Sequence, residues 1–342
     1  MLLVIVGAGA SYDSAPSKHP TDSRYRDLAN RPPLADQLFG DRQYFGEVMN
    51  KYPRCLDVVT RLRHIPAQSS VERELKKLQD EASAYPERHQ QLAAIRYYLQ
   101  EVLWVCTDQW LNETQRVSNY ITLVDDIKRW KKPGEKVCFV TFNYDTLLDK
   151  ALEHHGYPFT ELSGYVARDL MLVKLHGSVN WGRIVSTPLD ELLSLNRKVL
   201  AQKLVERYAT LEISKRYVLV GDFPPTTYDK WGVFPALAIP VEAKLDFECP
   251  PEHINALKAF IPQVKKILTI GWRGTEQLFL ELLRKGLGTV GRELMVVGGT
   301  QRDSEATAAN LNKAGLTGQF SCVPAGFTDF IVNGFGTGFL SK

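Results

Sequence analysis

Five short apolar runs recur along the chain, and each ends in a glycine or a small polar cluster. They are Leu2–Val6 before Gly7, Val137–Phe142 before Asn143, Leu170–Leu175 before His176, Ile267–Ile270 before Gly271, and 293–297 before Gly298. Continuous rather than alternating apolar character is expected of strands buried on both faces. Phe320–Val323 reads as a last strand and Tyr217–Val220 as a further candidate. Between the runs the spacing changes to steps of three and four. Leu92, Ile95, Leu99, Val102, Cys106 and Trp110 form one stripe, and Val117, Ile121, Val124 and Ile127 another. Such stripes place apolar groups on one face of a helix. Residues 34–132 therefore read as a helical insertion, which Lys131-Lys132-Pro133-Gly134 closes.

Further helices are expected from about Thr146 to Gly156, before Lys265, over 276–285, and over 303–314 with Gly315 as its cap. A smaller helical insertion is expected over 188–213 through Leu189, Leu192, Leu193, Val199, Leu204 and Leu211. Strands separated by helices predict an α/β fold, a Rossmann-like parallel sheet with helices on both faces. The expected division is 1–33 plus 133–342 for the sheet domain and 34–132 for the insertion. In such sheets ligands bind beyond the carboxyl ends of the strands, near a topological switch point. The residues just after each run are therefore the candidates for chemistry.

Length and composition narrow the classes. A chain of 342 residues can bury one large core with an insertion, or two modest domains. A net charge of +3 is too small to argue for a nucleic-acid or membrane partner. The apolar runs fall far short of the roughly 20 residues that span a bilayer. Met1–Val6 has no basic leader and reads as a buried strand rather than a secretion signal. The five cysteines are scattered and form no C-x-x-C pair, which speaks against a disulfide framework and a zinc site. A cytoplasmic location is expected.

Gly7-Ala8-Gly9-Ala10-Ser11 follows its strand directly. It is either a tight turn or a loop whose freed N–H groups cradle phosphate. The dehydrogenase fingerprint continues straight into a helix and then a second strand. Here Tyr12 and a segment marked by Pro16, Pro20, Pro32 and Pro33 follow instead. In Thr141-Phe142-Asn143-Tyr144-Asp145, persisting strand geometry would turn Asn143 and Asp145 to one side. Asp145 suits a helix cap equally well, whereas Asn143 does not. Of seven histidines, only His176 stands at a strand end, before a glycine taken as flexible. Its imidazole would suit a general base.

In this order, Gly7–Ser11, Thr141–Asp145 and Lys174-Leu175-His176-Gly177-Ser178 resemble a sirtuin-like NAD-binding domain. Ile270-Gly271-Trp272 and Val297-Gly298-Gly299 resemble the family's adenosine-side strand ends. The resemblance implies that Gly7, Ala8, Gly9, Ala10 and Ser11 bind the NAD phosphates, with Thr141, Gly271 and Gly298 also lining the cofactor site. It implies that Asn143 and Asp145 hold the nicotinamide ribose and position water, and that His176 is the base. Protein-deacylating sirtuins carry two C-x-x-C pairs and a G-I-P-D-F-R-like stretch; this chain has neither, and Pro32-Pro33-Leu34 stands in the latter's place. What remains resembles the bacterial antiphage branch, which hydrolyses NAD to nicotinamide and ADP-ribose. NAD is then a substrate and no metal is expected. Control by self-assembly into a homo-oligomer or by a separate partner, such as a HerA-type ATPase, is implied. Deacylation or ADP-ribosylation from the same pocket, and non-catalytic sensing of NAD or ADP-ribose, are the alternatives.

Overall fold

The computed structural model describes residues 1–66, 68–186, 195–221, 227–228, 231–241, 246–288 and 291–341. These form two compact units, one of Met1–Pro32, Thr107–Leu175 and Pro251–Lys342, the other of Pro33–Cys106 and His176–Pro250.

The first unit is built on six parallel strands: β1 (Leu2–Val6), β2 (Val137–Thr141), β3 (Leu170–Lys174), β8 (Lys266–Ile270), β9 (Arg292–Val297) and β10 (Gly318–Val323). Their order is β10-β9-β8-β1-β2-β3. β1 is completely buried, and it pairs with β2 from Leu2↔Val137 to Val6↔Thr141 and with β8 from Leu2↔Lys266 to Val6↔Ile270. The chain steps one way from β1 through β2 to β3, then the other way from β8 through β9 to β10. Right-handed crossovers put the helices of the two halves on opposite faces. The Rossmann-like α/β expectation holds, and the switch point lies between β1 and β8.

At that switch point two turns touch backbone to backbone. Gly7 N–H donates to Ile270 O at 3.1 Å and Gly9 N–H to Gly271 O at 3.0 Å. A Cβ on Gly7 would lie 2.6 Å from Gly271 O, and one on Gly271 would lie 2.2 Å from Ala10 N. Gly271 also has φ +58°, a left-handed conformation that glycine adopts at little cost. Contrary to the sequence reading, the turn does run straight into a helix, the single turn Ala8–Tyr12. The missing dehydrogenase feature is a following strand, since two 3-10 turns and one short helix lie along 16–37.

Beyond Tyr12 the chain is held by buried polar groups. Asp13 accepts from the backbone N–H of Thr328 at 3.0 Å and from its hydroxyl at 2.6 Å, so a distant carboxylate caps the helix Gly326–Val332. Asn119 Nδ2 ties Asp13 O at 2.7 Å to Thr328 Oγ1 at 2.8 Å. Arg31 is 1% exposed, and its guanidinium lies between the rings of Tyr12 and Trp110, 4.9 Å from each. It donates to the carbonyls of Tyr12, Lys18 and Tyr25. That encloses the proline-marked segment around one cation.

The helix Asn119–Trp130 buries Tyr120, Leu123, Val124 and Ile127. Of the stripe expected from Val117, Val124 and Ile127 are buried and Ile121 partly so, while Val117 lies ahead of the N-cap Ser118 and is exposed. In the helix Glu87–Glu113 the expected stripe is buried throughout. Ala93, Ala94, Tyr97, Tyr98, Gln100 and Glu101 are buried too, so more than one face is enclosed.

The second unit holds an antiparallel sheet, of which the apolar pattern announced only the candidate Tyr217–Val220, whose first three residues end one strand. β4 (Gly177–Val185), β5 (Ile213–Leu219), β6 (Thr227–Tyr228) and β7 (Trp231–Leu237) run in the order β5-β4-β7-β6. Glycine at 182 and proline at 235 pair with each other, and both residue types argue against a strand. Gly182 is required, since a Cβ there would meet Val233 Cγ1 at 2.1 Å. Tyr97 Oη donates to Val233 O at 3.1 Å and Gln100 Nε2 to Val179 O at 2.9 Å. Of the expected helix over 188–213, Arg197–Glu206 is helical, β5 takes the end, and 187–194 lie outside the described residues.

Gly271→Ala is expected to lower folding stability by about 2–4 kcal/mol through overlap with Ala10 and a strained φ. Guanidinium denaturation checks this: the midpoint should fall with the slope unchanged.

Candidate functional site

The glycine turn uses its amides within the fold. Gly7 and Gly9 N–H are committed to the β8 turn, and Ala10 N–H donates to Gly7 O at 2.9 Å. Ala10 is fully buried, whereas Ala8 and Gly9 remain half-buried at the surface of the turn. Gly271 N–H donates to Val297 O, and Gly298 N–H to Val323 O, both at 3.0 Å. A Cβ on Gly298 would lie 2.6 Å from Ser304 N, so this glycine lets the helix Gln301–Lys313 approach β9. Trp272 stacks on Phe142 with ring centroids 5.5 Å apart, covering the ends of β8 and β2.

Ser11 sits on the short helix that this contact starts, and it is 2% exposed. Asn143 Nδ2 donates to Gly7 O and to Ser11 Oγ, each at 2.9 Å. A backbone carbonyl can only accept, so the carboxamide has one orientation, with both N–H groups turned inward and Oδ1 left as an acceptor. Thr141 supports the same turn: its Oγ1 accepts from Asn143 N–H at 3.0 Å. Its carbonyl accepts from Leu175 N–H at 3.0 Å. Thr141 is buried and acts on Asn143 rather than from an exposed surface.

Asp145 meets Ser11 as well, accepting its hydroxyl hydrogen bond. Its Oδ1 also accepts from Leu147 N–H at 3.0 Å. Asp145 thus satisfies the first helix amide from one residue ahead of the N-cap Thr146, and although β2 ends at Thr141 it reaches Ser11 as Asn143 does. Burial pushes its carboxyl up, opposed by the Lys174 ammonium, the Ser11 hydroxyl and the Leu147 amide, while Asp149 adds to the rise.

Lys174 ends β3 with a fully buried ammonium that donates to Asp149 Oδ2 at 2.8 Å and to Asp145 O at 2.5 Å. Tyr165 Oη donates to Asp149 Oδ1 at 2.8 Å. This pair was missed as a site element. Its signal was a lysine inside an apolar run and an aspartate among Leu147, Leu148, Ala151 and Leu152. Tyr120 was missed too; its phenol lies 3.1 Å from Ser11 Oγ.

His176 follows directly from Leu175 and opens the second segment of the second unit, 8% exposed. Its carbonyl accepts from Ala238 N–H at 2.9 Å. Gly177 is not a flexible spacer: its φ is +82°, and a Cβ would fall 1.8 Å from Ala236 O. The structure joins Gly7, Ser11, Asn143 and Asp145 into one network within the first unit, and it anchors His176 by its backbone to β7.

Residues 137–317 match the profile of the SIR2-like domain, just over half of the 342-residue chain. The chain belongs to the SIR2-like family. The matched stretch contains Asn143, Asp145, His176, Gly271 and Gly298 and begins after the Gly7–Ser11 turn. No curated protein matches the chain. Membership in the SIR2-like family brings a sirtuin-type, NAD-related function and NAD as ligand. Among the described residues no three His, Cys, Asp or Glu side chains cluster to hold a metal ion. Among the same residues no helix is long and apolar enough to cross a membrane.

Lys174→Met is expected to cost about 3–5 kcal/mol, because it strands the buried Asp149 carboxylate. A thermal melt checks this, and the double change Lys174→Met with Asp149→Leu should recover part of the loss.

A carboxyl raised by burial contributes stability that is complete below the ordinary aspartate value of about 3.9 and is lost as pH rises through the raised one. Wild type should therefore lose ground to Asp145→Asn in denaturation series run from about pH 3 to about pH 7. A gap that stays constant with pH would contradict the assignment.

Proposed function

We propose that this SIR2-like protein hydrolyses NAD at the nicotinamide–ribose bond, giving nicotinamide and ADP-ribose. The observation that carries the reading is the fixed Asn143 carboxamide, whose inward amide leaves an acceptor oxygen at a SIR2-like strand end. A ribose hydroxyl or a water is a donor that such an oxygen can hold. The Gly7–Ser11 turn serves the NAD phosphates through Ala8 and Gly9, its accessible members, and Gly271 and Gly298 shape the adenosine side. Because Gly7, Gly9 and Ala10 use their amides internally, the turn offers shape more than free donors.

In the reaction the bond from ribose C1′ to the nicotinamide nitrogen breaks, and its electron pair leaves with neutral nicotinamide. Cationic character builds on the ribose, as in glycoside hydrolysis. Asn143 Oδ1 and the Asp145 carboxylate orient the ribose and a water, so that the attack needs little reorganisation. His176 takes the proton as the water oxygen bonds to C1′. Neutral nicotinamide needs no acid to leave.

The domain reading belongs to the same proposal: 1–33 with 133–342 is the NAD-cleaving module, and 34–132 is inserted in it. Unchecked NAD loss would kill the producing cell, so the activity is held in reserve as an antiphage effector. Release comes through homo-oligomer assembly or a separate partner such as a HerA-type ATPase.

Nicotinamide release from NAD, followed by chromatography, tests the chemistry. His176→Ala and Asn143→Ala should each reduce turnover by roughly 10²–10⁴-fold with folding retained. Consumption of NAD only with an acyl-peptide would point to deacylation, and tight NAD binding without turnover would point to a sensor; either outcome defeats the proposal.

A further inference from the structure

The Ser11 hydroxyl has one proton and two lone pairs, and the structure gives it three partners. The Asp145 carboxylate accepts the proton, and Asn143 Nδ2 donates to the oxygen at 2.9 Å. The third partner is the Tyr120 phenol at 3.1 Å. With the Ser11 proton on Asp145, the phenol must donate to Ser11. Tyr120 can do so at every ordinary pH, because burial holds its hydroxyl protonated. Tyr120 is 1% exposed, and its ring packs edge-on against Phe327 at 5.1 Å.

An asparagine carboxamide is nearly symmetric in shape, so hydrogen-bond polarity alone decides which end faces inward. Gly7 O already disfavours an inverted carboxamide, and Ser11 could favour it only if its own proton were free to swing. Asp145 holds that proton, and Tyr120 fills one lone pair, so the remaining lone pair must receive an N–H from Asn143. Chains of this kind strengthen each member.

We infer that Tyr120 is a positioning residue, which acts through Ser11 to lock the Asn143 carboxamide with its oxygen toward the ligand and to hold Asp145 beside it. Its kinetic consequence rests on the NAD-cleavage reading, whereas its geometric consequence does not. Tyr120 lies on a helix ahead of β2, outside the stretch that matches the SIR2-like domain.

The test compares the full chain with Tyr120→Phe, which keeps the ring and removes only the hydroxyl, with Ser11→Ala, and with the double variant. Three readouts are taken: NAD turnover, the thermal midpoint, and the side-chain amide resonances of Asn143, assigned through their loss in Asn143→Ala. Tyr120→Phe should lower kcat roughly tenfold, leave KM within about twofold, and shift the Asn143 resonances. The thermal midpoint should stay within a few degrees. The double variant should be no slower than Ser11→Ala, because one route cannot be removed twice. Unchanged kcat in Tyr120→Phe overturns the inference whatever the resonances do. So does a loss that adds to that of Ser11→Ala, or one that merely follows a fall in the thermal midpoint. If wild type never turns over NAD, the cleavage reading fails by itself, and unmoved Asn143 resonances in Tyr120→Phe then overturn the positioning.

Discussion

The contact between the turn after β1 and the turn after β8 constrains everything near it. Two parallel strands sit side by side, and their following turns must cross the same small space. Only Gly7, Gly9 and Gly271, with no side chains, let the two backbones bond directly. The bond from Gly9 to Gly271 O fixes where the helix Ala8–Tyr12 begins, and the start of that helix fixes which way Ser11 points. Ser11 in turn sets Asn143 and Asp145. A backbone contact with no chemistry of its own therefore dictates the orientation of a carboxamide 132 residues further along the chain than Ser11.

Buried charge completes the placement. The Lys174 ammonium bonds Asp149 and also the carbonyl of Asp145, so β3, the helix Leu147–His154 and the turn between β2 and that helix meet at one nitrogen. A buried pair of this kind adds little net stability against an apolar substitute, but it tolerates few alternative geometries. Asp13 does the same on the other side, where it caps a helix more than three hundred residues away. Polar groups enclosed in pairs thus hold the strand-end turns still, which a site on loops needs if its first contacts are to be accurate.

The strands of the parallel sheet were legible because burial on both faces writes itself as an unbroken apolar run, and the small residues after each run marked where chemistry could sit. Asn143 and Asp145 stood out for that reason. The antiparallel sheet did not, since Gly182 and Pro235 occupy positions that read as breaks and β5 leaves Lys215 and Arg216 exposed. The start of the helix Asn119–Trp130 was misplaced, because the cap at Ser118 leaves Val117 outside it. Tyr120 was hidden more deeply: its partner Ser11 is 109 positions away, and nothing local marks a tyrosine on an apolar stripe as a donor. Periodicity reports which side of an element is dry, but not which polar atom it will meet there.

The clamp around Arg31 has an evolutionary corollary. The guanidinium gathers main-chain oxygens of Tyr12, Lys18 and Tyr25, and every residue type supplies such an oxygen. The outward side chains of this segment, among them Ser17, Thr21, Ser23 and Asp27, are thereby released from defining its course. Neutral drift can rewrite that surface while the underlying path persists, so descendants of one ancestor can present different faces to the cell above an unaltered backbone.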